Sequence, residues 1–228
     1  MNFFGHAVVA TWQSAHPGFV LGAMLPDFAT MIGARVPSVN HADVASGVRF
    51  HHDTDRVFHD APTFRSLQAD ARRTLREQGL PRPCALAVGH IGVEILLDSA
   101  LGDDPRGRAG YEAALAAGHP NELGAHVEWA TPGEVADYGR LVSVLAERGI
   151  PSEAQSPSTS AWRIARALAP RPRLRLDADG ERLVREWAEI AAPVIALAAR
   201  ELVQEILRGL ETAGASLDMR PPGPGPSV

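Results

Sequence analysis

The sequence predicts an all-α fold in one domain, and three observations carry that prediction. No stretch alternates apolar and polar residues with a period of two between hairpin-type turns. Apolar residues instead recur at helical spacing, and proline or an N-cap residue stands where many of these segments begin. The chain also shows no internal repeat of the kind that builds solenoids. A length of 228 residues suits one sizeable core, and a helical bundle of about seven to nine helices is expected over residues 1–215. From 216 to 228 the Pro/Gly-rich tail ends P-P-G-P-G-P-S-V, cannot build a packed element, and is expected to be disordered.

The elements follow in order. Asn2 can cap a helix from Phe3 to Gln13, and His16-Pro17-Gly18 breaks it. The segment G-A-M-L-P-D-F follows, and Asn40 with Asp43 makes a capping-box-like start for a helix to about Phe58. Pro62 opens a helix to Gln78, stopped by Gly79, with Phe64, Leu67, Ala71 and Leu75 on one face. Pro83 opens a nearly apolar helix in which Gly89 and Gly92 allow a neighbour to pack close. Asp104-Pro105 starts a helix to Ala117, and Thr131-Pro132-Gly133-Glu134 is a capping box opening a helix closed by Gly149. Ser152 to Thr159 reads as a loop before a short helix around Trp162 to Leu168. The last long helix starts at Asp179, with Leu183, Trp187, Ile190, Val194, Leu197, Leu202 and Ile206 marking its buried side, and Pro193 should kink or split it.

Composition narrows the function. Hydrophobic content of 45% and charged content of 21% are those of a soluble globular protein. All 22 basic residues are Arg, and the net charge of -5 argues against a general nucleic-acid binder. A single cysteine, Cys84, excludes an intrachain disulfide and a thiolate cluster, and fits a reducing cytoplasm. The N-terminus lacks a basic region and makes a poor signal peptide. The apolar run Ala191 to Ala199 is far shorter than the ~20 residues a bilayer demands, so no membrane association is expected. Any metal would be bound by His, Asp and Glu.

The stretch Gly47 to Pro62, G-V-R-F-H-H-D-T-D-R-V-F-H-D-A-P, holds three of the nine histidines and three aspartates. On a helix, His51 and Asp55 lie about 40° apart, and His52, Asp55 and His59 form a second line crossing at Asp55. Such a helix offers nitrogen and carboxylate ligands side by side, or else a solvated polar face. In the apolar helix after Pro83, His90, Glu94 and Asp98 are spaced at i, i+4 and i+8, within about 80° of arc. A buried-looking helix that puts its polar residues on one stripe calls for a partner. Asp27, between Pro26 and Phe28, is either a ligand or the cap of a following helical turn. His6 in the first helix is either a satisfied core histidine or a ligand. Asp27, His51, Asp55, His90 and Glu94, with His6, His52 and Asp98 in reserve, make a mixed nitrogen and oxygen set suited to Mn, Fe, Zn or Mg. Arg163, Arg166, Arg171, Arg173 and Arg175 lie within thirteen residues without an acid, as a solvated loop would show or as an anionic partner would need.

M-N-F-F-G-H at the start, G-A-M-L-P-D-F around Asp27 and G-V-R-F-H-H-D-T-D resemble the acyl carrier protein phosphodiesterases, whose corresponding segments have an M-N-F-L-A-H, a G-N-x-L-x-D-F and a G-I-x-x-H-R-x-I-D look. A-L-A-P-R-P-R-L before the last helix is similar to that family's R-R-P-R-L segment. That family is similar to a divergent branch of the HD phosphohydrolases: all-helical, divalent-metal dependent, and removing phosphopantetheine from holo acyl carrier protein. The resemblance implies that Asp27, His51 and Asp55 are functional, with His6 matching as well. It implies an acidic carrier protein as partner, for which the Arg163, Arg166, Arg171 and Arg173 patch would be the landing place, or else a small phosphate ester. The chain departs from the family pattern in the second metal-rich helix. There an aspartate, three residues and Asp-His become His90-Ile-Gly-Val-Glu94-Ile95.

The expected activity is therefore a metal-dependent phosphoric ester hydrolase, with a metal-bound water as nucleophile and His52 or His59 as proton shuttle. The alternative is a non-catalytic helical binding protein that keeps a structural metal or polar cluster.

Overall fold

The computed structural model describes residues 1–35, 37–149 and 156–212. Among these residues the protein is all-α, as predicted. The helices are α1 (Phe3–Gln13), α2 (Pro17–Met31), α3 (Ala42–Asp60), α4 (Pro62–Glu77), α5 (Arg82–Leu101), α6 (Pro105–Ala117), α7 (Pro132–Arg148), α8 (Pro157–Leu168) and α9 (Ala178–Thr212). Strand β1 (Ser38–Val39) pairs antiparallel with β2 (Val127–Glu128). Internal contacts divide the described chain into two compact units. The first comprises Met1–Asn2, Arg56–Asp103 and 156–208, and the second Phe3–Asp55, Asp104–Gly149 and 209–212. The tail 216–228 lies outside the described residues.

In the second unit, α1 buries Phe4, Ala7, Val8, Val9 and Ala10. It packs against α2 and α6. Glycines set how near the helices come. A Cβ at Gly107 would stand 2.6 Å from Val8 Cγ2, so α6 lies tightly on α1. Between α2 and α3 it is main chain that comes close. A Cβ on Gly22 would collide with the Val44 carbonyl oxygen, and one on Gly47 with the Phe19 carbonyl oxygen, so two bare backbones meet there. The ends are fixed by side chains. His16 Nδ1 accepts from the Gly18 amide at 3.2 Å with Pro17 at the first helical position, so the predicted break is also the start of α2. Asp104 caps α6 through the amides of Arg106 and Gly107 and accepts from Trp12 Nε1 at 2.7 Å. The Thr131–Glu134 capping box of α7 is formed.

In the first unit, α4 packs along α5, and α5 along α8. Gly89 and Gly92 do what their placement suggested. Their missing side chains admit Arg72 of α4 and the Trp187 ring of α9, each of which would lie 2.7 Å from an added Cβ. The α5 helix is long and apolar enough to cross a membrane by length and composition, but 61% of its most apolar window is buried inside the protein, as in a core helix. Thr63 ties α4 to α9 through its amide and hydroxyl, both donating to Glu205.

Four local expectations are corrected. Asn40 does not start α3. It is drawn into the β1–β2 pair, where its amide donates to the His126 carbonyl and its side chain to Glu128, and the helix starts at Ala42. Asp27 caps no helical turn, because α2 runs unbroken through Pro26 to Met31. The expected loop at Ser152 to Thr159 gives way to helix from Pro157, since Ser156 caps α8 by accepting from the Thr159 amide at 3.1 Å; residues 150–155 lie outside the described part. Finally, Pro193 does not split α9, and Ile190, Val194 and Leu197 are exposed at 64%, 53% and 85%. The buried stripe runs instead through Val184, Trp187, Ala188, Ile195, Ala199, Leu202 and Ile206. Trp187, Leu202 and Ile206 are buried as expected, and the exposed Ile190, Val194 and Leu197 lie roughly a third of a turn from this stripe, because α9 carries aliphatic residues on two faces.

Gly47→Ala should destabilise the protein by about 3 kcal/mol in urea denaturation, since its Cβ meets main chain that cannot yield cheaply. Gly133→Ala, whose nearest neighbour would be 3.7 Å away, should change stability by less than about 1 kcal/mol.

Candidate metal centres

The close approach of α2 and α3 decides what His51 does. At Gly22 and Gly47 the helices nearly touch, and one turn further along, His51 Nδ1 lies 2.8 Å from the Ala23 carbonyl oxygen. A carbonyl only accepts, so Nδ1 carries the ring proton and Nε2 keeps its lone pair. This is the state of a metal-ligating histidine held by an outer partner. His51 is 6% exposed.

His6 of α1 stacks on His51 with ring centroids 3.9 Å apart and planes 29° off parallel. It is fully buried, and among the described residues neither of its ring nitrogens has a hydrogen-bond partner. Asp55 Oδ1 approaches Nε2 to 3.6 Å, beyond a hydrogen bond. A buried imidazole left in this condition costs about 1–3 kcal/mol, which a ligated cation would offset. Asp27 of α2 completes the group. His6, Asp27 and His51 each present one donor atom, all within 4.8 Å of one another. An ion with bonds of about 2.1 Å holds its ligand atoms about 3–4 Å apart, so small side-chain movements close the set. Three helices thus supply two imidazoles and a carboxylate, with Asp55 beside them. The residues fit a divalent transition ion.

Burial dominates the electrostatics. It pushes the His6 pKa down to about 3 against the pull of Asp55, and the His51 pKa down to about 4 against the Ala23 carbonyl. Both rings are neutral at ordinary pH, as ligation requires. His52 is exposed and meets His51 edge to face at 5.3 Å.

The remaining candidates form a second cluster in the first unit. His59 near the end of α3 and His90 and Glu94 on α5 also bring one donor atom each within 4.8 Å. The imidazoles lie 4.9 Å apart and 8° from parallel, and Glu94 Oε1 is 3.3 Å from His90 Nε2 and 3.9 Å from His59 Nε2. The Met1 amino group donates to the same oxygen at 3.2 Å. Burial lowers the His90 pKa, with Glu94 opposing.

The polar stripe of α5 divides at this point. Asp98 stands outside both clusters, 3% exposed and paired with Arg163 at 3.6 Å. Arg163 is one-quarter exposed and faces Asp98, whereas Arg166, Arg171 and Arg173 are exposed, Arg166 lying over the Trp162 ring at 5.4 Å. Two groups had no signal in the sequence: the Ala23 carbonyl, which is main chain, and Gln68, whose Nε2 lies 2.7 Å from His90 Nδ1. Comparison of the chain with protein families, characterised proteins and solved structures finds no match.

The two lowered pKa values set a pH dependence. Folded His6 and His51 stay neutral down to about 3 and about 4, while the unfolded imidazoles bind protons from about pH 6.5. The stability they allow is whole above pH 6.5 and is lost as pH falls toward the folded values. In chelator-treated protein, urea denaturation should show a loss of about 2 kcal/mol per histidine between pH 7.5 and pH 5. His6→Gln should remove about half of that difference.

Proposed function

We propose that the chain is a divalent-metal-dependent phosphoric ester hydrolase whose centre is His6, Asp27 and His51. One observation carries the reading: two buried neutral imidazoles and a carboxylate, from three helices, converge with His51 already held in the ligating tautomer. The resemblance to acyl carrier protein phosphodiesterases supports it, because Asp27, His51 and Asp55 stand at that family's motif positions and His6 matches as well. Bound there, a divalent ion (Mn, Fe, Zn or Mg) would supply Lewis acidity toward a phosphoryl oxygen and lower the pKa of water.

The residues of the chain do the rest. Asp27 is half-buried and Asp55 is 36% exposed, so the cluster opens to solvent on its carboxylate side. Two carboxylates would repel a phosphate, and the ion's charge offsets them. Asp55 Oδ1, 3.6 Å from His6 Nε2, would accept that nitrogen's proton after a small side-chain movement, with Nδ1 then free to ligate. His52, exposed beside His51, can pass a proton to a leaving alkoxide from the solvent side. The exposed Arg166, Arg171 and Arg173 give an acidic carrier protein a surface to meet, while a net charge of -5 disfavours nucleic acid. A cytoplasmic setting suits the lone Cys84.

A second reading also has an observation behind it. His6 and His51 are 0% and 6% exposed, and closed sites are typical of structural metals. The protein would then be a helical binding module.

Protein purified without chelator should carry Mn, Fe or Zn by mass spectrometry, or take up Mg on addition, and hydrolyse bis-p-nitrophenyl phosphate or holo acyl carrier protein. Asp27→Asn should lower kcat/KM by about 100-fold or more with secondary structure retained. Bound metal with no turnover on either substrate would favour the binding module. Turnover unchanged in Asp27→Asn would overturn the assignment of the centre.

A further inference from the structure

The cluster in the first unit has features that the proposed centre does not use. Two imidazoles stack almost parallel, 4.9 Å apart, and both turn Nε2 toward one carboxylate oxygen of Glu94. An aromatic wall fixes them there. Phe58 and Phe64 meet His59 edge to face at 5.2 and 5.3 Å, and Phe64 meets His90 at 5.7 Å. Glu94 has only 14% of its side chain exposed, and the Met1 ammonium that donates to its Oε1 at 3.2 Å holds the cation's place until an ion replaces it. A solvated ion-pair network has no need of walls or of two rings converging on one carboxylate. A metal ligand set needs both, because its donors must be held before the ion arrives.

We propose that His59, His90 and Glu94 form a second metal site, separate in its ligands from the first, which takes a zinc-class divalent ion. Two imidazole nitrogens and one carboxylate oxygen are the ligands such ions prefer, and three protein ligands leave a fourth position for water. His90 and Glu94 are one helical turn apart on α5, which puts both side chains on one face. His59 reaches the same point from α3. Position 95, where the family that the chain resembles has a histidine, is here a buried isoleucine, and the second imidazole comes from His59 instead.

The hydrogen bond on the far side of His90 determines how the site loads. Gln68 Nε2 lies 2.7 Å from His90 Nδ1, so the amide donates and the ring proton sits on Nε2, facing Glu94. Ligation requires the opposite arrangement. The Gln68 amide turns so that its oxygen accepts from Nδ1–H, and Nε2 is left with its lone pair for the ion. Gln68 is therefore a positioning residue for metal binding. Replacing its amide by a carboxylate would favour the loaded state, as carboxylates behind zinc-bound histidines do.

The test is metal stoichiometry by native mass spectrometry on chelator-stripped protein titrated with Zn²⁺, with Co²⁺ absorption as a second readout and circular dichroism as a fold control. The full-length wild type should bind two ions. Glu94→Gln and His59→Gln should each bind one, with affinity for the lost site down about 100-fold. Gln68→Glu should bind the second ion about 10-fold more tightly. Asp27→Asn should lose only the other ion, so the failure of either site is read independently of the other. If Glu94→Gln and His59→Gln keep the wild-type stoichiometry and affinity, or if the wild type binds only an ion that Asp27→Asn removes, the second site does not exist. Because His59 is one-third exposed, its variant should fold even if Glu94→Gln does not.

Discussion

The contact on which the candidate chemistry depends is the backbone approach of α2 and α3 at Gly22 and Gly47. Neither position can carry a side chain without meeting a carbonyl oxygen of the opposite helix. With the helices that close, the Ala23 carbonyl comes within 2.8 Å of His51 Nδ1, and the proton on that nitrogen follows. The lone pair on Nε2 is thus a consequence of how two glycines pack. His6 then stacks on the face of His51 and is itself fully buried. A glycine lost from α2 or α3 would act on the candidate site through the orientation of one imidazole, with none of its donor residues removed.

The two clusters share a donor set and differ in how it is held. In the second unit a main-chain carbonyl orients the ring, and burial keeps both histidines neutral. In the first unit a side-chain amide contacts the ring, and phenylalanines restrict it. A main-chain acceptor fixes one tautomer permanently, whereas an amide can serve either. The first arrangement suits a site that is always competent. The second suits one whose competence changes when an ion is present.

Much of the fold was legible in the sequence because the signals were local. Proline and cap residues fixed the starts of α4, α6 and α7, since capping depends on residues within one turn. Asn40 misled for the same reason in reverse: a residue able to cap was taken by a strand partner 88 residues away. The buried face of α9 was legible only in part, at Trp187, Leu202 and Ile206, because aliphatic residues occupy two faces and only packing chooses between them. For the candidate sites, residue type and helical spacing were enough to single out His6, Asp27, His51, Asp55, His90 and Glu94. They could not show that His6, Asp27 and His51 form one cluster while His90 and Glu94 join His59 in another, that Asp98 would be paired with Arg163, or that Ala23 and Gln68 would set ring protonation. Those facts depend on tertiary contacts that no spacing encodes.

The central claim is that the protein prepares His51 as a ligand before any ion binds. Long-range proton–nitrogen correlation spectra of histidine-labelled, chelator-stripped protein at pH 6 test it directly. His51 should be neutral, with its proton on Nδ1 and Nε2 bare. A proton on Nε2, or a cationic ring at that pH, would contradict it.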